Sequence, residues 1–235
     1  MPIGAPIVGI SSMATRHVLA ELAAAYERRS GQVVTVESVG GVDASRRVED
    51  GEAFDFVVLA RDAIDALARS GRIDPESRTD IAGSGIAIAV AAGAAKPDVG
   101  NEAAVREAVL AARSMGYSTG PSGAHVARLL ERWGIAEAVA PRLVRARPGV
   151  PVGALVARGE VELGFQQLSE LMHLPGIDVI GLLPPDIQLV TVFAGAICRA
   201  STGPEAASAF VAFLASPEAD AAKHRHGMEP APAQG

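Results

Sequence analysis

The chain has 235 residues, of which 49% are apolar, 20% charged and only 4% aromatic, a globular composition whose interior is built mainly from Ala, Val, Leu and Ile. Its formal net charge is −6, with Lys and Arg scattered along the sequence, so no basic stripe exists for a phosphate backbone and nucleic acid is not an expected partner. The single cysteine, Cys198, cannot form an internal disulfide, and the longest apolar runs, such as Ile86 to Ala95, fall far short of the roughly 20 residues of a membrane span, so no membrane insertion is expected.

The opening MPIGAPIVGISS carries no charged leader or signal-length apolar region, and its apolar residues already read as a first strand, Pro6 to Ile10. The chain as written is therefore expected in the cytoplasm, or in the periplasm if it is a processed or recloned mature form. Further strands are predicted over Gln32 to Glu37, Asp55 to Ala60, Ile86 to Ala91, Met115 to Ser118, Leu143 to Ala146, Val161 to Gln166, Val179 to Leu182 and Leu189 to Cys198. Between them run helical stripes three to four residues apart: Val18, Leu22, Ala25 and Tyr26; Ile64, Leu67 and Ala68; Val126, Leu129, Leu130 and Trp133. This alternation predicts an α/β protein with largely parallel strand pairing.

Gly51, Gly71, Gly134 and Gly159 each follow a helical pattern where a left-handed cap is expected. Asn101 suits an N-cap, and Pro204 suits a first helical turn. An internal echo relates RRVEDGEAFDFVVLARDAIDAL to GALVARGEVELGFQQLSELMHL: helix, Gly-Glu, strand, polar turn, helix. It reads either as a chance likeness of short α/β units or as two similar lobes facing across a cleft.

Three strand-to-helix turns have the composition of anion sites: ISSMATRH with Ser11 and Ser12, SVGGVDAS with Ser38, Gly40, Gly41 and Val42, and YSTGPSGAH with Ser118, Thr119, Ser122 and Gly123. At such turns unpaired backbone N–H groups, the positive helix end and hydroxyl donors could hold a carboxylate or oxyanion. Small residues let a ligand approach the backbone, and in an open parallel sheet these turns lie where ligands bind. Arg16, His17, Arg61 and the pair Gln166 and Gln167 fall near strand ends and could meet a carboxylate. Asp43, Asp55 and Asp62 also fall near the expected cleft. No GxxxxGK[ST] or strand-linked GxGxxG is present, and the five histidines have no HExxH or CxxC partner, so no nucleotide, cofactor or metal is expected. No GxSxG elbow marks a nucleophilic serine, and Cys198 reads as a buried small hydrophobe.

The ordered series ISSMATRHVLAELAAAYERRSGQVV, SVGGVDASRRVEDGEAFDFVVLA, GSGIAIAV, YSTGPSGAHVARLLERWGI, LVARGEVELGFQQLSEL and FVAFLASPEADAAKHRHGMEP resembles the type II periplasmic binding-protein fold, and within it the molybdate-binding-protein-like solute receptors. The resemblance implies two α/β lobes with a ligand cleft between them: residues 1–84 plus 189–235, and residues 85–188. The chain would cross near Ala82 to Ile86 and return near Asp186 to Thr191. Carried over, it points to Ser11, Ser12, Gly40, Gly41, Ser122 and Gly123, and to the turn from Val150 through Pro151 to Gly153, as ligand contacts. The partners it implies are a small anion and, if the chain is exported, the permease of an ABC transporter. Molybdate sites in this group tend to use neutral donors, sometimes including a tyrosine. Here the only tyrosines are Tyr26, in a helical stripe, and Tyr117, on a strand. With Arg16, His17, Arg61 and Gln166 at strand ends, an organic carboxylate fits better than a spherical oxyanion. Aconitate isomerase also resembles this group, so a cofactor-free allylic proton shift on an unsaturated polycarboxylate is the alternative. Its candidate bases are His17, Asp43 and His125.

Overall fold

The computed structural model describes residues 4–231. Its first elements are β1 (Ile7–Ser12), α1 (Arg16–Ser30), β2 (Val34–Val39), α2 (Gly41–Glu49), β3 (Phe56–Ala60), α3 (Arg61–Arg69) and β4 (Thr79–Ala91). There follow α4 (Glu102–Ala111), β5 (Met115–Tyr117), α5 (Pro121–Arg132), α6 (Ala136–Val139), β6 (Leu143–Arg145), α7 (Val152–Ala157), β7 (Leu163–Gln167), α8 (Leu168–Leu171) and β8 (Ile177–Leu182). The chain closes with β9 (Val190–Ile197), α9 (Pro204–Ala215), α10 (Asp220–Arg225) and the short β10 (Glu229–Pro230). It divides into two compact units, one of residues up to Gly83 with those from Val192 onward, the other Ser84–Thr191.

In the first unit β1 is flanked by parallel partners β2 and β3, and β9 joins β3 antiparallel. Strand residues alternate between the two faces, so one sheet yields two cores. Phe56, Val58 and Phe193 face α1 (Val18, Leu19, Leu22) and α9 (Phe210, Val211, Leu214). Ile10, Val57 and Leu59 face Ala44 and Val48 of α2 and Ile64 and Leu67 of α3. Phe210 centres the first core, its ring 5.2 Å from both Phe56 and Tyr26, and truncating so buried a ring to Ala typically costs about 3–5 kcal/mol. Tyr26 thus packs in the apolar stripe in which the sequence places it.

In the second unit β5 lies between β6 and β7, parallel to both, while β4 pairs antiparallel with β7 and β8. One face packs Ile86, Ile88 and Phe165 with Val105, Val109, Val126, Leu129 and Leu130. Val152, Leu155, Val156 and Val161 of the α7 region form a separate cluster.

The expectation of largely parallel pairing needs correcting. β4 pairs antiparallel with β7, β8 and β10, and β9 antiparallel with β3, because both strands run against the βα units they join. β4 also begins seven residues before the predicted Ile86; the small residues Gly83, Ser84 and Gly85 interrupt the apolar signal but not the ladder. Local punctuation follows expectation. Gly51, Gly71, Gly134 and Gly159 all have positive φ, the Asn101 carboxamide accepts from Ala104 N at 3.0 Å, and Pro204 opens α9. Cys198 is buried, which pushes its thiol up to about 12, with the neighbouring Asp55 charge adding to the effect. No helix among the described residues is long and apolar enough to cross a membrane.

Asp55, placed near the cleft by sequence, instead precedes β3, at the end of the strand away from the α3 start. Only 7% exposed, it is fully engaged: Oδ2 accepts from Val8 N at 2.8 Å, and Oδ1 from Ser201 Oγ, Thr202 N and Gly203 N. Burial alone would raise its pKa, but these four donors outweigh it and hold the carboxyl below the ordinary value. A depressed carboxylate stabilises the fold above the unfolded-state pKa, and that stability is lost as pH falls through the folded-state value. Asp55→Asn is expected to cost about 2 kcal/mol at pH 7, since hydrogen bonds to charge are among the stronger ones. Urea titrations at pH 7 and pH 3 check this: the gap from the parent protein should narrow in acid.

Candidate functional site

Strands β2, β1 and β3 end level with one another. Ser11 stands opposite Ser38 on one side and Val58 on the other, and Ser12 opposite Val39. Each strand then feeds a helix whose first turn has no side-chain cap: α1 through a 3-10 turn at Met13–Thr15, α2 through Gly40, and α3 directly. Uncapped first turns leave backbone N–H groups without intrahelical partners. The hydroxyls around them differ in their commitments. Ser11 Oγ bonds Ser38 Oγ at 2.8 Å and Ser12 O at 3.3 Å. Ser12 Oγ is buried and has no hydrogen-bond partner within the described protein, and Ser12 is only 7% exposed. A β-carbon built on Gly41 would lie 3.7 Å from Ser12 Cβ, so this lone hydroxyl stands beside the start of α2. Val42, in that first turn, is 68% exposed.

The cationic side chains on this unit divide in the same way. Arg61 is committed, its guanidinium paired through Nε and a terminal nitrogen to the Asp80 carboxylate. Arg16 opens α1 as an exposed residue and forms no ion pair among the described residues. His17 is exposed beside it, its ring stacked 6.2 Å from that of His226. Asp43 lies in the first turn of α2 with Arg46 of the next turn 3.9 Å away.

In the second unit the turn after β5 enters α5 at Pro121, again with no side-chain cap at Gly120. Ser118 Oγ and Ser122 Oγ bond at 2.8 Å, and Thr119 lies between them in the chain, partly exposed. Gly123 is glycine for an internal reason: a β-carbon there would fall 1.8 Å from the Ser118 carbonyl oxygen. His125, on the next turn, has Nε2 at 2.8 Å from Ile187 O, so Nε2–H donates and Nδ1 stays the basic nitrogen.

Val150 and Pro151 lead into α7, whose first N–H is already satisfied: Val152 N donates to Gln166 Oε1 at 2.7 Å. Gln166, 3% exposed, turns its amide nitrogen to Glu170 Oε2 at 2.5 Å. Gln166 is therefore spent at both ends of its amide on protein groups.

Glu170 was not singled out by sequence. The residue keeps some exposure, but its carboxyl is enclosed, and desolvation pushes it up to about 7 against the lowering effect of the Gln166 hydrogen bond. No local periodicity marks it, because Gln166 lies on β7 and Glu170 on α8 and only the fold brings them together. Nearby in sequence, Gln167 Nε2 donates to Thr191 Oγ1 at 2.7 Å, while Gln167 Oε1 and Ser169 Oγ are buried without a partner. No group of three or more His, Cys, Asp or Glu among the described residues could hold a metal.

Known proteins resemble this arrangement along nearly its whole length. The family described as bacterial extracellular solute-binding protein matches residues 7–229. An aconitate isomerase from a Pseudomonas species is 39% identical over 231 residues, covering 96% of this chain and 88% of that protein. The periplasmic molybdate-binding protein of Azotobacter vinelandii shares the fold with a TM-score of 0.79 at 19% identity, covering 94% of this chain and 98% of that one. A sulfate-binding protein of Mycobacterium tuberculosis does so with a TM-score of 0.74 at 19% identity, over 98% and 88% of the two chains.

The two glycines near the turns should separate by mutation. Gly41→Ala meets only ordinary contact and should leave the melting temperature within about 2 °C, whereas Gly123→Ala drives carbon into a carbonyl oxygen and should lower it by about 5 °C or more. Thermal unfolding followed by circular dichroism decides between them.

Proposed function

The chain belongs to the bacterial extracellular solute-binding proteins, and from that premise we propose that it binds a small anion, an organic carboxylate in preference to a spherical oxyanion, at the strand-end turns described above. One observation carries the reading: the buried Ser12 hydroxyl has no partner within the described protein and stands beside the uncapped start of α2. Leaving a buried hydroxyl unbonded costs about 1–3 kcal/mol, a cost that a ligand oxygen accepting from it would remove. Helix N–H groups and the positive end of α2 add to the attraction. The exposed apolar Val42 in the same turn, and Arg16, which forms no ion pair among the described residues, suit a carboxylate with a hydrocarbon body better than a tetrahedral oxyanion. If the chain is exported, the periplasm is its compartment and an ABC permease its partner.

A second reading shares the ligand and adds chemistry: isomerisation of an unsaturated polycarboxylate. The 39% identity to an aconitate isomerase supports it. In an allylic shift a base removes a proton from the saturated carbon, the electron pair delocalises through the double bond toward a carboxylate, and the proton returns at the far carbon. Atoms and charge balance without a cofactor. His17 at the start of α1, Asp43 in α2 and Nδ1 of His125 are the candidate bases.

Ser12→Ala is the sharpest test of the binding reading. Because the hydroxyl has no partner among the described residues, its loss should leave stability unchanged or slightly raised while weakening anion affinity by about tenfold. Thermal shift against molybdate, sulfate and di- and tricarboxylates, followed by calorimetry, reads both quantities; an affinity unchanged by the substitution defeats the assignment. For the isomerase, trans-aconitate incubated with the protein should give cis-aconitate above background. Tight binding without turnover leaves a receptor.

A further inference from the structure

Two adjacent glutamines, Gln166 and Gln167, end β7, and their hydrogen bonds separate them. Gln166 is spent at both ends of its amide, whereas Gln167 is spent at one: Nε2 donates to Thr191 Oγ1 at 2.7 Å, and Oε1 is buried without a partner. Two residues on, in α8, Ser169 Oγ is also buried without a partner, although the Ser169 N–H is already taken by Ser84 Oγ at 3.3 Å. Gln167 and Ser169 are each 2% exposed, and all four residues belong to the second unit. Buried polar side-chain atoms are nearly always bonded, and one left alone carries the full cost of losing water. Two such atoms within three residues point to a group that the described residues do not supply.

The residue types decide what that group is. Ser84, Gln167, Ser169 and Thr191 are all uncharged, so an ion brought to them would give up its water without gaining a counter-charge from any of them. Gln167 Oε1 only accepts and asks for a proton donor, whereas Ser169 Oγ can donate or accept. Turning the Gln167 carboxamide over would leave Nε2 as the free atom, with the Thr191 hydroxyl donating to Oε1. An alcohol, donor and acceptor at one oxygen, meets either setting; a carboxylate oxygen, which only accepts, meets just the second. Resting on the reading that the chain binds an organic carboxylate, we propose that Gln167 and Ser169 form a subsite for an alcohol group, which donates to Gln167 Oε1 and accepts from Ser169 Oγ. The preferred ligand is then a hydroxy acid, selected by an uncharged group as well as attracted by its charge.

Acids that differ by one hydroxyl test this: malate against succinate, and citrate against tricarballylate, by calorimetry at pH 7. The parent protein should favour the hydroxylated member of at least one pair by about tenfold or more, since the analogue without it leaves both side chains unmet. Ser169→Ala removes an atom with no partner among the described residues, so its melting temperature should match or exceed that of the parent. Its preference for the hydroxy acid should fall by about fivefold while its affinity for the unhydroxylated member holds. Gln167→Met, similar in length, should also reduce the preference, and the double variant should lose less than the product of the single losses, because both side chains act on one alcohol. A preference unchanged by Ser169→Ala, or losses that multiply in full, overturns the shared subsite. Equal affinity within both pairs overturns it too, leaving a single water as the group the two side chains meet and carboxylate binding intact. No binding of any of the four acids overturns the carboxylate reading beneath it.

Discussion

Parallel pairing imposes a constraint that antiparallel pairing does not: neighbouring strands finish on the same side. Once Ser11 is opposite both Ser38 and Val58, the chain must leave β2, β1 and β3 at one edge and start three helices there. Each helix must bury its apolar stripe on a sheet face, as α1 does through Val18 and Leu22 and α3 through Ile64 and Leu67, so its first turn is held close to the strand it follows. Polar backbone is thereby gathered at that edge as a by-product of packing. The second unit repeats the logic around β5, with parallel neighbours on both sides.

The distribution of satisfied and unsatisfied polar groups follows the same division. Before β3, away from the helix starts, a buried carboxylate collects four donors from Val8, Ser201, Thr202 and Gly203 and leaves nothing over. At the helix-starting ends the buried side-chain atoms without partners among the described residues are Ser12 Oγ, at the end of β1, Gln167 Oε1, at the end of β7, and Ser169 Oγ, in α8. Native proteins satisfy nearly all buried polar atoms, so these three keep hydrogen-bonding capacity that the described residues do not use.

Much of this was legible in the sequence because it depends on local chemistry. The left-handed glycines after Asp50, Ser70, Trp133 and Arg158, the Asn101 cap and the Pro204 start are each decided within a few residues, and the alternation of strand and helix follows from periodicity. The family resemblance, carried by the ordered motifs, agrees with the fold. What was not legible depends on partners far away in the chain. Gly123 reads as room for a ligand until the Ser118 carbonyl is found in that room. Arg61 reads as a free cation until Asp80, 19 residues on, takes it. Gln166 reads as a ligand contact until Val152 and Glu170 occupy its amide. The antiparallel course of β4 and β9 is likewise invisible to periodicity, which reports the face of a residue and not the direction of its neighbour.

The paired hydroxyls of Ser118 and Ser122 carry a consequence of their own. Two hydroxyl groups own two protons between them, and a mutual bond at 2.8 Å uses one. The other is left over, and either oxygen can carry it, since rotation about two C–O bonds reverses the direction of the pair. Such a pair has two settings, one with each serine as the donor. It can present an O–H to an acceptor or a lone pair to a donor without moving a heavy atom.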